Sequence, residues 1–67
     1  MDKEVRKVLR EAVRQGWRVV RTRQGDYKLF PPDRRLRPVT MSPHAAGLRE
    51  AVKEMEAQGF RWEGGLS

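Results

Sequence analysis

The chain has 67 residues, no cysteine and one histidine, and its 15 lysines and arginines outweigh 9 acidic residues for a net charge of +6. A chain this short makes one domain and buries only about 60% of its unfolded surface, which excludes a second lobe or a deep cofactor cavity. Neither a disulfide, a thiolate metal site nor a one-histidine zinc centre can support it, and no stretch approaches the roughly 20 apolar residues of a membrane span, so the expectation is a cytoplasmic protein without metal or cofactor.

The first predicted element is a helix. Asp2 is a good N-cap, and Val5, Val8, Leu9, Ala12 and Val13 fall at helical spacing before Gly16 stops the run. Lys3, Arg6, Lys7, Arg10 and Arg14 make its solvent face. Residues 17–22 then read as a strand, rich in aromatic and β-branched types. Gln24, Gly25 and Asp26 form a turn, and residues 27–30 return as the second strand of a hairpin. Residues 31–35, Pro-Pro-Asp-Arg-Arg, make a rigid basic loop.

Residues 36–41 read as a third, weaker strand. Pro38 lacks a backbone donor, so this strand lies at a sheet edge or starts only after Pro38. Ser42 and Pro43 open a second helix as N-cap and first helical residue, with Leu48, Ala51, Val52 and Met55 as its apolar stripe. Gly47 weakens its first turn and would move the helix start toward Leu48. Gly59 ends it, and Phe60 and Trp62 are placed to fold back on the core. The domain is expected over residues 1–62, with residues 63–67 as a flexible tail.

Leu9 to Val13 recurs as Leu48 to Val52, and Gln15-Gly16-Trp17-Arg18 recurs loosely as Gln58-Gly59-Phe60-Arg61. The two offsets differ by about one helical turn, so the pattern indicates two amphipathic helices with similar stops and not a duplication. Strand alternation directs Trp17, Val19, Tyr27, Leu29, Val39 and Met41 toward the helices. Arg18, Val20, Thr22, Asp26, Lys28, Phe30 and Thr40 face the other way. The expected fold is α+β in the order α-β-β-β-α: a three-stranded antiparallel sheet with two helices packed on one face, the layout of double-stranded-RNA-binding domains.

Charge is unevenly distributed. Residues 1–37 carry 12 basic and 5 acidic groups, a balance of +7, whereas residues 38–67 carry 3 and 4. A one-sided positive field suits a polyanion such as nucleic acid, although a GC-rich genome favouring arginine would produce a similar bias.

Several pieces in order resemble the HicA toxins of HicA–HicB toxin–antitoxin pairs. A short helix runs into Gly16-Trp17, followed by Val20-Arg21; Gly25 opens the hairpin, and Leu29-Phe30 follows it. Pro32-Asp33 stands where the family commonly has Pro-Asp-Gly. Residues 39–44, Val-Thr-Met-Ser-Pro-His, are similar to the family's strand end, and Leu48-Arg49 and Gln58-Gly59-Phe60 to its final helix and stop. The resemblance spans roughly residues 3–60. It implies a double-stranded-RNA-binding-like fold, contact with RNA, and, in an intact member, metal-independent endoribonuclease activity masked by an HicB antitoxin. The family's catalytic histidine follows the hairpin glycine, but here the run is Gly25-Asp26-Tyr27-Lys28. That departure bears on activity and not on fold.

RNA cleavage without metal needs a base near the 2′-hydroxyl and an acid at the leaving oxygen, roles that suit histidine because it titrates near neutrality. The substitute catalytic candidates are Asp26, Tyr27 and His44. Asp26 also fits ordinary turn chemistry, and His44 also fits a polar residue at a helix start. The RNA-binding candidates are Arg21, Arg23, Lys28, Arg34 and Arg35 for phosphates and Phe30 for base stacking. The expected function is a HicA-like RNA-binding protein with reduced or no nuclease activity. The alternatives are an inactive homologue that binds an HicB-like antitoxin or another protein, as an accessory of a phage or bacterial element, and a weakly active mRNA endoribonuclease toxin.

Overall fold

The computed structural model describes residues 2–63 and has the expected order: two helices and one three-stranded antiparallel sheet, α-β-β-β-α. Helix α1 spans Lys3–Arg14. Asp2 caps it as expected, its carboxylate accepting from the Glu4 backbone N–H at 2.8 Å. Val5, Val8 and Ala12 are buried, but Val13 is 59% exposed, against the expectation that it belongs to the stripe. At about 100° per residue Val13 is rotated some 80° beyond Val5, past the rim of the buried arc.

Strands β1 (Arg18–Arg21), β2 (Tyr27–Phe30) and β3 (Val39–Met41) lie in that order, with β2 central. Strand β1 is shorter than residues 17–22 because both end residues have other partners. The Trp17 N–H donates to the Ala12 carbonyl, and the Thr22 N–H to the Asp26 carbonyl in the hairpin loop. Strand β3 begins only after Pro38 and also forms a sheet edge, so both readings of that proline hold. Leu36, expected in this strand, is instead held in a turn by its N–H to the Asp33 carbonyl.

Helix α2 spans Leu48–Glu56, after a 3₁₀ turn at Ala45–Gly47. Ser42 does not cap it. The Ser42 hydroxyl accepts from the His44 N–H at 3.2 Å, a local turn that comes before the 3₁₀ segment. The helix proper starts at Leu48, as the presence of Gly47 suggested.

Both helices end in the same way. Gly16 donates to Val13 and Trp17 to Ala12; Gly59 donates to Glu56 and Phe60 to Met55. This is the Schellman arrangement, and Gly16 and Gly59 have the positive φ it requires, 92° and 99°. The recurring Gln-Gly-aromatic-Arg is therefore a repeated helix stop.

The core lies between the helices and one sheet face. Tyr27, Leu29, Val39 and Met41 from the sheet meet Val5 and Val8 of α1 and Leu48, Val52 and Met55 of α2. Trp17 and Phe60 are buried with them, and Trp62 packs against the cluster. The smallest dimension of the molecule is 19 Å, the thickness of one helix layer on one sheet. Among the described residues no helix is long and apolar enough to cross a membrane. Of the expected tail, residues 64–67 lie outside the described residues.

Candidate nucleic-acid interface

The sheet register divides the candidate residues by face and by end. Arg18 lies opposite Phe30, Val20 opposite Lys28, and Lys28 opposite Thr40. These five residues occupy the sheet face that no helix covers. Lys28 and Thr40 are exposed, Val20 is 37% exposed, and Phe30 is half-buried. The Lys28 ammonium lies 5.6 Å from the centre of the Phe30 ring, a cation–π distance, so an aromatic plane and a cation already share one spot on this face.

Arg21 is paired with Tyr27, and strand alternation puts it on the helix side of the sheet, at an exposed edge position. Arg23 projects from the hairpin loop, residues 22–26. That loop is closed by Thr22, which donates its N–H to the Asp26 carbonyl at 2.8 Å while its hydroxyl accepts the Asp26 N–H at 3.1 Å. The loop holding Arg34 and Arg35 follows Phe30 and therefore stands at the opposite end of the sheet. The sequence places these cations in the hairpin and in the loop after it, and the register sets those two loops at opposite ends of the sheet with Lys28 between.

Arg35 is already engaged. Its guanidinium donates to both Asp33 carboxylate oxygens, at 3.2 and 3.0 Å, and its backbone N–H adds a third bond at 2.9 Å. The side-chain bond to Arg35, supported by the backbone bond, lowers the Asp33 pKa below its ordinary value, and the Arg35 pKa is raised in return. Two other ion pairs, Lys7–Glu4 and Arg14–Glu11, lie along α1. Among the described residues Arg18, Arg21, Arg23, Lys28 and Arg34 have no ion-pair partner, so their charge is available to a ligand. Arg18 is the residue that sequence reading missed as a ligand contact. Its signal was present: the same alternation that put Phe30 on the open face also put Arg18 there.

The three catalytic candidates do not share a face. Tyr27 is 8% exposed and belongs to the core cluster. Asp26, one residue earlier, falls on the open-face side at the hairpin end. Because Met41 pairs with Tyr27, residues 42–44 leave the sheet at that same end, which brings His44 toward the hairpin. His44 is exposed, and no hydrogen bond or ion pair joins its side chain to that of Asp26. Among the described residues no group of three metal-ligating side chains occurs. A surface cleft of about 490 Å³ lies elsewhere, lined by Glu11, Arg14, Gln15, Arg61, Trp62 and Glu63; its mixed charge does not suit a polyanion. Comparison with protein-family models, curated proteins and solved structures finds no match to this chain.

Proposed function

We propose that this chain is a small cytoplasmic RNA-binding protein of HicA-like type with reduced or no nuclease activity. The observation that supports it most is the set of unpaired cations on and around the uncovered sheet face. Arg18 and Lys28 sit on that face, Arg23 projects from the hairpin loop, Arg21 is exposed at the sheet edge on the helix side, and Arg34 lies in the loop beyond Phe30, where Asp33 is already held by Arg35. Such cations neutralise phosphates and release counterions, which favours any nucleic acid at low salt. The reduced chemistry is read from the hairpin, where Gly25-Asp26-Tyr27-Lys28 stands in place of the histidine run and Tyr27 is buried in the core. Neither side chain is the imidazole that general acid–base chemistry most often uses.

The experiment is incubation of the purified protein with labelled total RNA, with retention and cleavage scored separately over a range of salt. The expected result is retention that weakens steeply with salt and leaves the RNA intact. Absence of retention at low salt would overturn the binding reading. Rapid cleavage that Asp26→Ala abolishes would make the protein a nuclease.

A further inference from the structure

We propose that the uncovered sheet face takes single-stranded nucleic acid, with Phe30 as the stacking platform and Arg18 and Lys28 as its phosphate contacts. This inference rests on the nucleic-acid reading above and narrows it to a ligand class.

The face is small and specific in composition. Phe30 and Arg18 stand directly opposite on β2 and β1, where side chains are about 5 Å apart. Lys28, two residues before Phe30 on the same side, reaches over the ring. Three strands spaced about 4.8 Å apart make a platform roughly 10 Å wide, the scale of one or two bases and well short of a duplex. Stacking on an aromatic ring requires an exposed base π-face, which an unpaired strand offers and a duplex withholds.

The Lys28 stem is flexible, so its ammonium can leave the ring for a phosphate as a base takes its place. Val20 and Thr40 flank Lys28 and add apolar and hydroxyl contact without charge. Arg18 and Phe30 pair at the end of the sheet away from the hairpin, so the strand runs over that end, where the loop carrying Arg34 continues from β2.

The test is fluorescence anisotropy with a labelled single-stranded RNA, the same sequence annealed to its complement, and the matching single-stranded DNA. The single strands should bind more tightly than the duplex. Phe30→Ala should weaken single-strand binding roughly 5- to 150-fold, the usual range for one stacked base, while Phe30→Trp retains it. Arg18→Ala should instead reduce the salt slope by about 0.7, the loss of one phosphate contact on a single strand. Circular dichroism of each variant establishes that it is folded. Equal or tighter duplex binding, or equal loss in Phe30→Ala and Phe30→Trp, would overturn the single-strand inference and leave nucleic-acid binding standing. Failure of the wild-type protein to bind any of the three ligands would overturn both.

Discussion

Trp17 and Phe60 hold the same position after the two helices, and their rings meet edge to face with centroids 5.9 Å apart. Each is the residue that follows a helix-ending glycine, and each donates its N–H back to a helix carbonyl. The shared stop therefore aims two aromatics into one place and ties the end of α2 to the start of β1. Trp62 extends the group by stacking on Phe60 at 6.3 Å.

Phe60→Ala should remove this joint. Truncating a buried phenylalanine costs about 3–5 kcal/mol, and a domain of this size has only about 3–10 kcal/mol in total. Urea denaturation should show the midpoint falling by about a third or more. A loss under about 1 kcal/mol would mean that the aromatic group is peripheral to stability.

Gln15 works beside it. Its amide accepts the Arg61 N–H at 2.8 Å and donates to the Arg61 carbonyl at 2.7 Å and to Glu11 at 2.8 Å, so a side chain pairs with the segment after α2 as a backbone would. Gln15→Ala should cost about 1–2 kcal/mol, from two exchanged bonds at about 0.5–1.5 kcal/mol each. Amide exchange at Arg61 should accelerate well before exchange at Val8, since the segment after α2 loosens while the core stays closed. Equal acceleration at both sites would show a global effect.

Asp33 should titrate below the ordinary aspartate value, because its bonds to Arg35 favour the charged form. With the folded pKa depressed, the pair's contribution is present above the ordinary aspartate value near 4 and is lost as pH falls through the lower, folded value. The effect on stability is small because the pair is solvent-exposed. NMR titration should place Asp33 below its ordinary value in wild type and move it upward in Arg35→Ala; an unmoved Asp33 would contradict this cause.

Two histidine substitutions at the hairpin should behave differently. Position 26 faces the open side near a turn and should accept Asp26→His without loss of fold. Tyr27 is in the core, so Tyr27→His should destabilise by about 2 kcal/mol or more by placing a polar ring there. If the scaffold is HicA-like, Asp26→His should gain RNA cleavage visible on a gel, since a positioned general base contributes about 10²–10⁴-fold. A folded, RNA-binding Asp26→His protein that cleaves nothing would leave only the binding function.

Local rules in the sequence determined the element order, both helix stops and the two sheet faces. The spacing of Val5, Val8 and Ala12, the glycines at 16 and 59, and the alternation through residues 27–30 act over a few residues and are visible there. Tertiary structure decided what depends on pairing. The register of β2 against β1 and β3 set Arg18 beside Phe30, sent Arg21 to the helix side, separated the hairpin cations from Arg34, and brought His44 to the hairpin end. It also turned Gln15 into a clasp for Arg61, 46 residues away. No local propensity encodes such partners, because which groups meet depends on how the whole chain closes over its core.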